Sequence, residues 1–323
     1  MRILVTGGAG FIGSHFVYLA HEAGHEVFVL DALTYAGSRA NVDMGACQRF
    51  YRGRVERAGD VAKCLADSKP DAVVHLAAET HVTRSIRSPR AFMQTNALGT
   101  YVLLDQCTRY RDESAPRLRV INVSTDEVYG SLTPSELPWT SQAPHRPNNP
   151  YAASKAAADH LAGSYAHTYE LDVITTHSSN NYGPRQHPEK LIPALIDRAR
   201  RGLSMQIHGD GSHVRDWLHV DDHCSGLLSV LTAPSLRRGS TVNFSGQCER
   251  TNLQVAALVA ESLSLSARVE LVADRPGNDK RYAMTNDASE VLGWKPRSTL
   301  EDGIKETVNW YMDNEGYEAH YGK

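Results

Sequence analysis

Short apolar runs alternate with helical patterns through the first half of the chain. Arg2–Thr6, Glu26–Leu30, Gln48–Arg52 and Ala72–Ala77 have the length and composition of strands, and the stretches between them repeat apolar residues at helical spacing. The pattern predicts a helix from Ile12, another near Val61 and a long one over Ala91–Arg111. Alternation of this kind implies right-handed βαβ units and a parallel sheet. The run from Ala72 to Ala78 has almost no polar positions, as in strands covered on both faces. A further strand, Leu118–Ser124, leads through a loop and a Pro-Asn-Asn-Pro turn into an alanine-rich helix starting near Tyr151.

After about residue 178 the rhythm changes. Short strands are expected near Met205–Gly209 and Thr241–Gly246, and helices near Glu189, Asp221, Asn252 and Leu300. The expected fold is α/β: a doubly wound parallel sheet (Rossmann) over residues 1–177 and about 216–240, with a smaller interleaved α/β lobe over 178–215 and 241–323. A ligand cleft would lie between them.

Composition narrows the class. With 41% hydrophobic and 22% charged residues the chain is globular rather than disordered. No apolar run approaches the roughly 18 to 20 residues of a membrane span. A formal charge of -3 gives no whole-chain attraction to nucleic acid or anionic membranes. A cytoplasmic protein is expected, with no nucleic-acid or membrane partner. The five cysteines include no Cys-x-x-Cys pair and read as buried thiols. Fifteen histidines are many, but no His-x-x-x-His pair falls on a convincing helix, so no metal is expected.

The strand-to-helix turn carries Gly7, Gly10 and Gly13, followed by Phe11 and Ile12 at the helix start. Glycines there let the backbone approach a pyrophosphate held at the positive end of the helix. A ligand-free tight turn would look the same, but Asp31 ends the next strand, where a carboxylate accepts from ribose hydroxyls. That carboxylate would repel a 2′-phosphate, which favours NAD over NADP. Ala77 and Ala78 end the fourth strand at the rim where such sheets bind ligands.

Tyr151 and Lys155 stand at i and i+4, one above the other on a helix. An ammonium beside a phenol favours the phenolate and makes a base usable near neutral pH. Thr125, Asp126 and Glu127 follow the strand Leu118–Val123 and so reach the same rim. Thr125 can hydrogen-bond a sugar hydroxyl undergoing oxidation. Two adjacent carboxyl groups resist joint ionisation, so one can stay an acid while the other acts as a base, the pairing an elimination needs. The bland alternative for that pair is a solvated acidic turn.

With these residues in hand, the chain resembles the extended short-chain dehydrogenase/reductase superfamily and, within it, the dTDP-glucose 4,6-dehydratase family, over residues 1 to about 312. The most specific segments are Leu33–Gly37, His75–Ile86, Ser124–Gly130, Tyr151–Lys155, Ser178–Pro184, Pro188–Pro193, Arg215–Leu218 and Ala273–Gly277. The resemblance implies that Leu33 and Thr34 join the NAD site and that Lys155 orients the nicotinamide ribose. It implies that Tyr151, with Thr125, takes the C4 hydroxyl proton of a nucleotide diphosphoglucose, Glu127 removes the C5 proton, and Asp126 protonates the departing C6 hydroxyl. Ser85, Asn180, Lys190, Leu191, Arg215, Asn243 and Arg275 match positions that hold the nucleotide sugar. A homodimer is implied, joined through the helices Ala91–Arg111 and the one carrying Tyr151.

Four positions depart from the family pattern. Arg54 stands where an acidic acceptor for the adenine side is usual, Thr83 where Asp is common, His208 where an aromatic often underlies the base, and Asn278 where His is usual. These leave the nucleotide open between dTDP, UDP and others. Two other readings remain: a nucleotide-sugar epimerase or decarboxylase, against which the Asp126-Glu127 pair argues, and a catalytically silent nicotinamide-sensing protein on the same fold.

Overall fold

The computed structural model describes residues 1–265 and 268–317. Its strands are β1 (Arg2–Thr6), β2 (Glu26–Asp31), β3 (Arg49–Arg52), β4 (Ala72–His75), β5 (Arg119–Thr125), β6 (Asp172–Ser178), β7 (Asn180–Tyr182), β8 (Met205–His208), β9 (Val214–His219), β10 (Thr241–Phe244), β11 (Glu249–Thr251) and β12 (Val269–Val272). Seven of them form one sheet in the order β10-β6-β5-β4-β1-β2-β3, parallel at every pairing. The doubly wound architecture expected from the pattern is therefore present.

Side-chain alternation explains why these runs lie flat between helices. Ile3, Val5, Val27 and Val29 face one layer, packed with Phe16, Val17, Leu227 and Val230 of the helices Phe11–Glu22 and Val220–Thr232. Leu4, Phe28 and Leu30 face the other, against Val61, Leu65, Leu103 and Ala162 of the helices Ala58–Ser68, Gly99–Ser114 and Pro150–Thr168. Strands buried on both faces have no solvent side for a polar residue to occupy.

The long helix predicted over Ala91–Arg111 is a composite. It is α-helical over Pro89–Phe92, widens to a π-helix over Met93–Leu98, and resumes as an α-helix over Gly99–Ser114. A 3.6-residue pattern cannot foresee the wider turn. The widening delivers Asn96 inward, where its amide donates to Ser154 Oγ at 2.8 Å and to the Glu79 carbonyl at 3.0 Å, and accepts from the Glu79 N–H at 2.8 Å.

A second lobe is built from the mixed sheet β11-β9-β7 and the parallel pair β12-β8. Its core gathers Tyr182, Ile192, Leu195, Ile207, Trp217, Val255 and Ile304. The expected domain boundaries need correcting here. Thr241–Phe244, placed with the lobe, pairs with β6 and forms the edge of the main sheet. Residues 216–219, placed with the main sheet, remain in β9 of the lobe. An apolar edge strand is buried by pairing with whichever sheet has a free edge, a choice that sequence order does not encode.

Cys47, Cys64, Cys107 and Cys224 are buried free thiols as expected, whereas Cys248 is only half-buried. No helix among the described residues is long and apolar enough to cross a membrane.

Close packing of the helix Val220–Thr232 on β10 requires a glycine. A Cβ on Gly226 would lie 2.4 Å from the Phe244 ring. Gly226→Ala should cost about 1–3 kcal/mol as overpacking does, seen as a lowered Tm in calorimetry with unaltered dinucleotide affinity, since Gly226 does not line the crevice beside the glycine turn.

Candidate active site

Strand order reverses between β1 and β4, and the chain ends that diverge there open a crevice. Gly7, Gly10, Asp31, Thr34, Ala77 and Ala78 all line it, together with Gly53, Arg54, Glu56 and Glu79. Gly7 has φ of 73°, and a Cβ on it would lie 2.6 Å from the Ala77 nitrogen. A Cβ on Gly13 would lie 2.1 Å from the Gly7 carbonyl oxygen. These two glycines are demanded by the fold itself. Gly10 is different: its Cβ would meet only the Gly7 carbonyl, at 3.3 Å, and would otherwise project into the crevice. Its absence keeps open a cradle at the start of the helix Phe11–Glu22, which fits a dinucleotide pyrophosphate.

Phe11 and Ile12 form the first turn of that helix and pack on the core. Asp31 lies on the crevice wall, with one oxygen accepting from Ala9 N–H at 2.9 Å and the other from Leu33 N–H at 2.7 Å. Burial raises its pKa, and those two N–H groups work the other way. Leu33 does not itself line the crevice; it packs on the core and serves through its backbone. Arg54 pairs with Glu56 at 3.2 Å, and both line the crevice, so a carboxylate remains on this wall although the usual position is occupied by Arg54.

The catalytic candidates converge. Register in the β5-β6 pair runs to Thr125 opposite Ser178, which puts Thr125 at the carboxyl end of the sheet. The short 3₁₀ turn Asp126–Tyr129 follows at once, and Thr125 caps it by accepting from the Glu127 N–H. Tyr151 lies in the first turn of the helix Pro150–Thr168, capped by Asn149, with Thr125 near enough to its phenol to lower the pKa. Thr125 Oγ1 also donates to Asp126 Oδ1 at 3.2 Å.

Electrostatics separates the two carboxyl groups. Burial, then Glu127 and Asp216, holds Asp126 well above the ordinary carboxylate range, with Arg215 opposing. Its Oδ2 is buried with no hydrogen-bond partner, as suits a proton kept for a ligand. Burial raises Glu127 as well, but Arg215, Lys190, the hydrogen bond from Asn149 and Arg275 all favour its charged form. Asp126 is thus the group that more readily keeps its proton and Glu127 the one more readily ionised.

One expectation is corrected. Lys155 does not dominate the Tyr151 phenol, which burial and then Glu127 push upward, while the Thr125 hydroxyl lowers it. The ammonium donates to the Val123 carbonyl at 2.7 Å and its own pKa is lowered by burial. Tyr and Lys share a helix face, but the strand end captures the cation.

Beyond Glu79 and Thr80 lies a second cavity, of 340 Å³, a size suited to a small ligand. Glu127, Asn180, Lys190, Leu191, Arg215 and Arg275 line it. The Asn180 Oδ1 and Arg275 Nε are buried without partners. Lys190, Arg215 and Arg275 make the cavity cationic, as a diphosphate requires. The departures Thr83, His208 and Asn278 also line it, and Asn278 Oδ1 accepts from Arg215 at 3.2 Å and from Arg275 at 3.4 Å.

Two expected ligand residues are elsewhere. Asn243 is fully buried, with its Oδ1 accepting from Tyr129 at 2.9 Å and its amide donating to the Trp139 carbonyl. Ser85 is also fully buried, its hydroxyl donating to the Val82 carbonyl. Both are consumed by internal hydrogen bonds that no linear motif reveals. Conversely, two neighbours of Glu127 Oε2 were not anticipated: Asn149 donates to it at 3.4 Å, and the Tyr282 hydroxyl, whose proton goes to Asp279 Oδ2, stands at the same distance. The Pro-Asn-Asn-Pro turn held the signal for Asn149, an N-cap residue three positions before the end of the first helical turn.

Fold, glycine cradle and the Tyr-Lys helix together define an extended short-chain dehydrogenase/reductase. The profile described as GDP-mannose 4,6 dehydratase matches residues 4–307. The dTDP-glucose 4,6-dehydratase of Xanthomonas campestris pv. campestris (strain B100) is 45% identical, over 97% of this chain and 93% of the relative. DesIV, the dTDP-glucose 4,6-dehydratase of Streptomyces venezuelae solved with NAD bound, superposes with a TM-score of 0.91 at 44% identity, covering 98% of each chain. The UDP-glucose 4-epimerase of Thermus thermophilus, in complex with NAD, superposes at 0.89 with 31% identity, over 97% of this chain and 99% of that one. The chain belongs to the dTDP-glucose 4,6-dehydratase family.

Asp126→Asn tests the raised acid. A carboxyl whose folded pKa lies above its unfolded value binds protons on folding, so its burial costs stability as pH rises above about 4. The Asn variant lacks that loss. Urea unfolding should find it more stable than the parent at neutral pH, with the gap closing on acidification below the ordinary carboxylate range.

Proposed function

We propose that the chain converts a nucleotide diphosphoglucose, dTDP-glucose by the names of its relatives, into the 4-keto-6-deoxy sugar. NAD is its cofactor. The observation that carries the reading is the divided carboxyl pair: buried Asp126, its Oδ2 without a partner and its pKa held well above the ordinary range, beside Glu127, whose rise nearby cations oppose. An epimerase scaffold of the same shape fits this chain almost as well, so shape does not decide the chemistry.

The cofactor would sit on the Gly7–Gly13 cradle and against Asp31, and when bound NAD accepts hydride from C4 and returns it at C6, its oxidised ring adding positive charge that favours a phenolate. Tyr151 takes the proton of the C4 hydroxyl, which Thr125 orients. Ketone formation acidifies C5, and Glu127 removes that proton while Asp126 protonates the leaving C6 oxygen, releasing water. After hydride reaches C6, Glu127 returns its proton to C5. Tyr151 then holds one proton too many and Asp126 one too few. Thr125, which donates to Asp126 and lies beside the Tyr151 phenol, connects them and lets the pair reset. Lys190, Arg215 and Arg275 hold the diphosphate, and Asn149 and Tyr282 hold the Glu127 carboxylate in place.

Homodimer assembly belongs to the same reading. Met93, Leu98 and Tyr101 are 46%, 45% and 43% exposed on one face of the composite helix, and Ala153 lies exposed on the helix beside it. Such a patch on paired helices suits a two-fold four-helix interface. A cytoplasmic location is supported by five unpaired thiols.

Glu127→Gln should leave C4 oxidation intact and slow elimination, lowering turnover by about 10²- to 10⁴-fold as loss of a general base does. With dTDP-glucose, reduced-nicotinamide absorbance should persist on this variant and a 4-keto glucose should be trapped; the parental rate of 4-keto-6-deoxy product would contradict the assignment. Leu98→Glu combined with Tyr101→Glu should halve the mass seen by light scattering at micromolar concentration.

A further inference from the structure

Behind the catalytic helix, away from both ligand cavities, His145, Asp159 and His177 bring their side chains together from a loop, the helix Pro150–Thr168 and β6. We propose that these three residues form a binding site for a divalent transition-metal ion of the zinc class, with His160 at its mouth. The expectation of no metal looked for ligands spaced along one helix; these are brought together only by folding.

The hydrogen bonds around His177 leave open the state in which it can ligate. The single hydroxyl proton of Tyr129 has two neighbours at 2.9 Å, Asn243 Oδ1 and His177 Nδ1. Asn243 turns its amide nitrogen to the Trp139 carbonyl, which puts its oxygen in competition with His177 for that proton. On the far side of the ring, His177 Nε2 stands 3.0 Å from Asp159 Oδ2. With the ring hydrogen on Nδ1, Nε2 presents its lone pair beside the carboxylate, the form in which imidazole binds a metal.

The surroundings favour the metal. His145 Nδ1 is buried and has no hydrogen-bond partner, which a proton between His177 and Asp159 would not remedy. A cavity of 160 Å³ lies against His145, Asp159, His160 and His177. The His160 ring is 5.1 Å from that of His145 and is solvent-exposed, giving an entry path and a further nitrogen donor. Asn122 and Ser124 donate to the two Asp159 oxygens at 2.9 and 2.8 Å, and Tyr129 holds His177, so two of the ligands already have the orienting partners typical of metal sites. The three ligand atoms lie within 4.8 Å of one another. Ligands about 2.0–2.2 Å from zinc stand roughly 3.4 Å apart in a tetrahedron, so His145 closes the set by a ring rotation and a shift of roughly 1 Å. Imidazole and carboxylate together select zinc, nickel or copper over magnesium or calcium.

The test uses tag-free full-length protein stripped with a chelator and titrated with Co²⁺, then Zn²⁺. About one Co²⁺ per chain should bind with the intense visible absorption of a four-coordinate ion, and Zn²⁺ should displace it. His145→Ala should weaken binding at least about tenfold with the metal-free Tm unchanged; should that variant fail to fold, His145→Gln serves in its place. Absence of saturable binding to the parent would leave a proton as the bridging cation and overturn the proposal, as would binding that the His145 variants do not weaken. The measurement needs neither NAD nor sugar nucleotide, so its outcome is independent of the proposed reaction.

Discussion

The contact on which the site depends is the approach of the β1 end to the β4 end, where Gly7 meets the Ala77 backbone with no room for a side chain. Thr6 Oγ1 and His75 Nδ1 bond at 2.7 Å just beneath it, and His75 reaches Thr100 on the other side at 3.0 Å. Burial keeps that imidazole neutral, with its pKa lowered to about 3, so it serves as a fixed spacer rather than a titrating group. Because the strand order reverses at this point, the same contact sets the crevice for the dinucleotide and the distance from it to the ends of β5 and the catalytic helix.

Charge is distributed around that frame with a consistent logic. The carboxyl pair is buried, which raises both groups, and the cations of the neighbouring cavity oppose that rise more fully at Glu127 than at Asp126. Arg215 lies over the Tyr282 ring at 4.5 Å, and Tyr282 in turn reaches Glu127. The cations that line the second cavity thus also favour the charged form of Glu127. The dehydratase and epimerase structures share the frame.

Behind the helix, Asp159 links the active-site strand to a histidine cluster. It sits one turn after Lys155, takes hydrogen bonds from Asn122 and Ser124 of β5, and stands 3.0 Å from His177 Nε2 of β6. Its pKa is lowered by the His177 hydrogen bond and charge and by Lys155, against the effect of burial. A buried carboxylate retained in this way holds β5, β6 and the helix in one register, at the cost of needing every lone pair satisfied.

Local physics was legible in the chain alone. Strand identity followed from short apolar runs and helix identity from period 3.6, the cradle from three glycines and Asp31, and the convergence of the candidates Thr125, Asp126, Glu127 and Tyr151 from their positions after a strand and at a helix start. Each is a property of residues near one another in sequence, where spacing fixes geometry. Tertiary structure alone decided what Asn243 and Ser85 face, since burial by distant segments turned both into internal hydrogen-bond partners. It alone captured Lys155 on the Val123 carbonyl, set Asn149 and Tyr282 on Glu127, widened the helix at Asn96, joined Thr241–Phe244 to the main sheet and gathered His145, Asp159 and His177. These depend on contacts between residues tens to more than a hundred positions apart, and a hydrogen bond leaves no periodic trace of its partner.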